Sequence, residues 1–237
     1  MSQTSPTLSL PYIQPAQAQK HVTVNEAFAR LDALAQITLV GAGVTSAPAN
    51  PADGALYAVG AGATGDWLGH DGALALYLNG GWVIVAPQAG WRGWRADTGT
   101  SVAFDGVDWI EGCGAFSANG AGFVHRSIEV DHAVSAGATS IVVGAIPANA
   151  TVYGITGRVT SDIGGPSTLE IGVSGSANRY GSGIGVSAGA WARGITGNPL
   201  AYYVDTDVIL TATGGNFSGT GVIRLAVHFA ELTLPRA

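Results

Sequence analysis

Charge is scarce in this 237-residue chain: only 11% of residues are Asp, Glu, Lys or Arg, under half the usual share of about 25%. There is one cysteine, Cys113, so no intrachain disulfide can form and no cysteine zinc set exists. Cys113 reads as an ordinary small residue rather than a nucleophile. No run of 18 apolar residues occurs, which gives no reason to expect a membrane-spanning helix or membrane insertion. The opening "MSQTSPTLSLP" has no basic stretch followed by an apolar one, so no secretory signal is expected. That pattern leads us to expect synthesis in a bacterial cytoplasm, with release by lysis if the protein acts outside. With a net charge of −6 and no basic stripe, nucleic acid is not an expected partner.

What is abundant is glycine, at 36 residues, about twice the common share. Yet 47% of the chain is apolar, which excludes wholesale disorder. Gly with Ala, Val and Thr and few Lys or Glu suits short strands joined by tight turns. The expected class is mainly β: a short N-terminal helix, a Trp/Gly-rich β-hairpin domain and a C-terminal jelly-roll-type β-sandwich.

The one helical pattern follows an extended lead-in, "PTLSLPYI", whose prolines exclude a helix. Thr23 and Glu26 have the spacing of a capping box. Val24, Ala27, Phe28, Leu31 and Leu34 then share one helical face, followed by Ala35, before the β-branched "ITLVG" ends the run. About three turns are too few to stand alone, so this face must pack on the following domain or on copies of itself.

Residues 1–42 thus form an extended segment and helix, with "GVTSAPANPA" a surface loop after it. Residues 43–112 form a hairpin domain with strand-like "ALYAVG", "ALALYL", "GWVIVAP", "SVAFDG" and "VDWIEG". "NGGW" and "FDGVDW" are hairpin signals within it. Residues 113–127 read as a linker. Residues 128–237 hold seven or eight strands, enough for a sandwich. In its last strand Ile223, Leu225, Val227 and Phe229 point one way and Arg224, Ala226, His228 and Ala230 the other.

Few residues promise catalysis. The pairs Asp66/Asp71, Asp105/Asp108 and Asp205/Asp207 lie in turns beside Gly, where Asp makes local hydrogen bonds. A glycosidase would need two carboxylates across a cleft. The five His have no ligand spacing, and no loop has EF-hand order. Ser182 in "YGSGIG" lacks the GxSxG order, and "GAGATG" lacks a following GK[ST]. We therefore expect a non-enzyme with no cofactor and no metal. Five Trp crowd residues 67–109; as hairpin core they fit better than as a platform for sugar rings.

The stretch "ANRYGSGIGVSAGAWARGITGNPLAYY", residues 177–203, differs. Its glycines suggest an irregular loop at the end of a rigid sandwich. Aromatic rings with Arg and Asn on such a loop suit glycan recognition. The candidate carbohydrate-binding residues are Asn178, Arg179, Tyr180, Trp191, Arg193, Tyr202 and Tyr203. The competing expectation is that Trp191 and Tyr203 cap the sandwich and Arg193 pairs with Asp162 or Asp205.

"QPAQAQKHVTVNEAFARLDAL" and "GDWLGHDGALALYLNGGWVIVAPQAGW" together resemble the signature of an uncharacterised domain family of phage-like gene transfer agents and prophages of alphaproteobacteria. The resemblance covers about residues 8–112. "NRYGSGIGVSAGAWARGITGNPLAYY" resembles the sandwich that often follows that domain. The family implies a head-spike or fibre component, an adhesin that helps a particle attach to a cell capsule, and implies no enzyme. The partners so expected are a surface or capsular polysaccharide, and a spike base or other virion protein held through the N-terminal segment. Fibres are closed cyclic oligomers, so a homo-oligomer is expected, a trimer or a pentamer, with Val24, Ala27, Phe28, Leu31 and Leu34 as its seam. A capsule-degrading glycosidase and a purely structural connector are the alternatives.

Overall fold

A computed structural model describes Leu10 and residues 20–237, with the side chains of residues 20–23 and of Cys113 outside the description. The extended lead-in of residues 6–13 therefore lies, except for Leu10, outside the described residues. The chain divides into two compact units, one to Gly120 and one from Ala121 to Arg236. The division falls within the 113–127 stretch. That stretch is not slack: it carries strand β9 (Cys113–Phe116) and the start of strand β10 (Gly122–Ala133).

The first unit opens with helix α1 (Lys20–Ala35). Thr23 lies inside it, so the Thr23/Glu26 spacing does not mark the helix start; nothing between Lys20 and Thr23 interrupts a helix. The buried side of α1 is Ala29, Asp32 and Ala33. Ala27 and Leu31 are exposed, and Val24, Phe28 and Leu34 are half-buried. The expected apolar face is thus only partly covered within the chain. Ala33 belongs to a core with residues of the sheets, and an aspartate occupies a place that counting apolar residues passes over.

After α1 the chain feeds two sheets in succession. Strand β1 (Ile37–Leu39) joins the first, and after Val40 strand β2 (Gly41–Val44) joins the second. The second contains β3 (Leu56–Val59), β4 (Leu74–Leu78) and β5 (Gly81–Val85), and the first β6 (Arg92–Arg95), β7 (Thr100–Phe104) and β8 (Trp109–Glu111). The orders are β1-β6-β7-β8 and β2-β3-β4-β5. In both, the leading strand pairs in parallel and the rest are antiparallel. The end of α1 and strand β1 are thus built into the same core as the hairpins. Ala33, Ile37 and Leu39 share one core with Leu56, Ala58, Leu74, Leu76 and Val102.

Both hairpin signals are real. The β4–β5 turn is Asn79–Gly80, both at positive φ (50° and 82°), the twist that a two-residue hairpin needs. In the β7–β8 turn the Asp105 carboxylate accepts hydrogen bonds from the Val107 and Asp108 N–H groups, both at 2.9 Å. Trp67, fully buried on a 3-10 turn (Gly65–Trp67), packs edge-on against Trp82 with ring centroids 4.9 Å apart. Tyr57 completes that cluster. Trp67 is core, as the hairpin-core reading expects.

The second unit has eight strands: β10, β11 (Thr139–Ile146), β12 (Ala150–Ser161), β13 (Thr168–Val173), β14 (Ser176–Ile184), β15 (Trp191–Tyr202), β16 (Thr206–Thr213) and β17 (Val222–Leu232). One sheet runs β15-β12-β17-β10 and the other β11-β16-β13-β14, all antiparallel. Counted from the first strand of the unit, the orders are 6-3-8-1 and 2-7-4-5, which is jelly-roll topology. Ile223, Leu225, Val227 and Phe229 all point into the core between the sheets, with Ile155, Ile171, Val208 and Leu210. The alternation read from the last strand holds.

Two predictions follow from this packing. A Cβ on Gly93 would sit 2.7 Å from the Ile37 carbonyl oxygen and 2.6 Å from its side chain. Gly93→Ala should therefore force β1 from β6 and cost about 1–3 kcal/mol, read as a lower melting midpoint; an unchanged midpoint would contradict this pairing. Residues 121–237 expressed alone should fold, giving native-like circular dichroism and one cooperative transition.

Candidate functional site

The residues singled out for glycan binding lie on strands rather than on a loop. Residues 177–203 form most of β14, a short connection and β15. The expectation of an irregular loop is corrected here. One of the glycines that suggested it, Gly194, instead lets backbones approach. A Cβ on Gly194 of β15 would run into the Tyr180 carbonyl of β14, and one on Gly154 of β12 into the Gly194 carbonyl. Such contacts exclude every other residue.

Strand β15 is an edge strand of one sheet and β14 an edge strand of the other. Tyr180 is buried, and its hydroxyl lies 2.7 Å from that of Tyr202 on β15. Burial, and then the Tyr202 hydrogen bond, push the Tyr180 phenol well above its ordinary pKa. Tyr180 therefore ties the two sheets together and is not a surface contact. Tyr202 is half-buried, and Tyr203 is exposed beyond the strand end. Trp191 is opposite Arg158 and Tyr202 opposite Ala150. Those β12 positions are eight residues apart, roughly 26 Å of strand. Asn178, exposed on β14, borders neither groove described next.

What comes together is Trp191 with Arg193. Trp191 is 62% exposed, and the Arg193 guanidinium carbon lies 5.9 Å from its ring centre. Arg193 does not pair with Asp162 or Asp205. Those carboxylates accept from the Ala188 and Ala148 N–H groups, at 2.7 and 2.9 Å. The Trp191/Arg193 ridge separates two grooves, each of about 470 Å³. The first crosses the outer face of the β15-β12-β17-β10 sheet and is bordered by Arg158, Thr156, Arg224 and Glu129. The second follows the sandwich edge beside Arg179 and the Gly181 to Gly185 segment.

Register explains the first groove. Trp191 is opposite Arg158, which is opposite Arg224, which is opposite Asp131. The adjacent row is Arg193, Thr156, Ala226 and Glu129. Arg224 is held by Asp131 through two bonds of 2.7 Å, with Glu129 at 3.5 Å. This pairing holds the Asp131 carboxyl below its ordinary pKa. Thr156 is oriented by His228, whose Nε2 lies 2.9 Å from the Thr156 hydroxyl while Nδ1 lies 2.8 Å from that of Ser127. Sequence reading missed Arg158, Thr156 and Glu129. Each shows only as an outward position in a strand, and their convergence depends on strand order.

A third groove, of about 560 Å³ in the first unit, is bordered by Tyr77, Trp82, Asp66, Pro48 and Pro51. Its two rings are half-buried and pack on each other, with centroids 5.0 Å apart. The expected local turn bonding of the aspartates holds for Asp105; Asp71, though in a turn, instead joins a second turn by accepting from Gly62 and Ala63 at 2.8 and 2.9 Å. These backbone bonds lower its pKa. Local bonding does not hold for Asp207, which lies in strand β16 and accepts from the distant Gly144 N–H at 2.7 Å, nor for Asp205, whose partner Ala148 is equally remote in sequence. Among the described residues no His, Cys, Asp and Glu side chains group so as to hold a metal ion, and no helix is long and apolar enough to cross a membrane.

Comparison with known proteins places these features as follows. No curated protein matches the chain. Among solved structures, a chain of the cyanophage Pam1 capsid asymmetric unit is similar over 49% of this chain and 90% of its own length, with 22% identity and a TM-score of 0.33. That likeness is too distant to carry an argument. Residues 24–110, which run from α1 into β8, match the family model described as a protein of unknown function, DUF2793.

Proposed function

We propose that the protein is a non-enzymatic spike or fibre component of a phage-like particle of the gene-transfer-agent kind, and that it attaches the particle to cells by binding a surface or capsular polysaccharide. The observation that carries the binding reading is the exposed Trp191 with Arg193 against it, set on a rigid strand between two grooves. A flat indole packs on the C–H face of a pyranose, and guanidinium and hydroxyl groups then fix its orientation. The particle reading rests on the sequence resemblance of residues 8–112 and not on the site.

The non-enzymatic reading is supported by the first groove's lining. Glu129 is the single carboxylate among its residues, and it lies beside Arg224. A glycosidase of the common kind needs two. The attachment end is assigned to the N-terminal segment and the recognition end to the second unit. In a single chain Leu31 is 54% exposed and Ala27 is exposed, which leaves that side of α1 available for a seam between copies.

On arrays or with purified capsule, the Trp191→Ala, Arg193→Ala double variant should lose at least tenfold in glycan affinity while keeping its melting midpoint. Unchanged affinity would move the site elsewhere, and shortening of the polysaccharide on long incubation would replace this reading with the glycosidase. Native mass spectrometry should give three times the 23.8 kDa chain mass, reduced to one chain by Leu31→Asp. A monomeric parent protein would refute the seam.

A further inference from the structure

Resting on the glycan-binding reading, we infer that the ligand is an acidic polysaccharide, one with carboxylates on its sugar rings, and that Arg158 is its principal charge contact. The chain as a whole is acidic, with 16 Asp and Glu against 10 Lys and Arg. Yet Arg158, Arg179, Arg193 and Arg224 all border the two grooves beside Trp191. The edge groove has no carboxylate among its lining residues, and the sheet-face groove has only Glu129. Positive charge is therefore concentrated where the exposed ring is.

The four arginines are not equivalent. Arg224 is already engaged by Asp131 and Glu129. Arg193 lies against the Trp191 ring. Among the described residues Arg158 has no carboxylate partner. It lies on β12 directly opposite Trp191 on β15. Facing residues of neighbouring antiparallel strands are about 4.5–5.5 Å apart. One sugar can therefore stack on the indole and present its carboxylate to the Arg158 guanidinium, whose fork bonds both oxygens. A neutral sugar would leave this cation without a counter-charge. The next repeat meets Arg193 and Thr156 in the adjacent row on one side, or Arg179 along the edge groove on the other.

The test is interferometry of the full chain against a panel of bacterial polysaccharides, each acidic polymer paired with its carboxyl-reduced form, at two salt concentrations. Arg158→Ala is the variant, and Arg30→Ala, an exposed charge on α1, is the control for net charge. At least one acidic polymer should bind, more weakly at higher salt. Its carboxyl-reduced form and Arg158→Ala should each bind tenfold or more weakly, and Arg30→Ala should bind as the parent does. Equal binding of the reduced polymer would overturn the acidic assignment and leave the glycan reading standing. Binding by no polymer would overturn both. Equal binding of a DNA oligonucleotide would reduce the site to a general polyanion contact. Loss of oligomer mass in Arg158→Ala would give the face to a second copy of the chain. Either result overturns the inference.

Discussion

The second unit depends on backbone meeting backbone at the sandwich edge. Strands β14 and β15 belong to different sheets, yet Gly194 brings them so close that no side chain fits between its α-carbon and the Tyr180 carbonyl. The Tyr180–Tyr202 hydroxyl pair adds a second tie between the same strands. Edge strands are ordinarily the loosest part of a sheet. Here one edge is fastened twice, and the fastened strand is the one that presents Trp191 and Arg193.

That arrangement links composition to recognition. Many of the chain's glycines serve turns at positive φ, and a few serve where strands must approach closely, at Gly194 in the sandwich and at Gly93 in the first unit. A ridge on a regular strand holds its side chains more firmly than a loop tip would, so less ordering entropy is lost when a ligand settles on it. Weak individual sites suffice if the particle displays many copies. The first unit, by contrast, uses its aromatic residues chiefly inward, with Trp67 closing a core between Tyr57 and Trp82.

Much of this was legible in the sequence because it rests on local chemistry. The Asn79–Gly80 hairpin, the Asp105 turn and the alternation of β17 each need only a few consecutive residues. Strand β14 was not legible, since Asn, Arg and four glycines or serines hide a strand whose fit is set by its neighbours. The buried side of α1 was misjudged because Ala29, Asp32 and Ala33 are small or polar and carry little hydrophobic signal. The parallel pairings of β1 with β6 and β2 with β3 join residues far apart in sequence, and no local pattern announces them. At the candidate site, Trp191 and Arg193 were visible as a pair on one strand. Arg158, Arg224 and Glu129 joined them only once strand order was known.

The central claim, that the β15 ridge is the recognition surface, is tested most directly by the six tryptophan indole N–H signals in a ¹⁵N-correlation spectrum of the full chain. Titration with a uronic-acid oligosaccharide should move the Trp191 signal first and furthest, with the buried Trp67 signal fixed. Movement of the Trp82 signal alone, or no movement at Trp191 at saturation, would contradict the account.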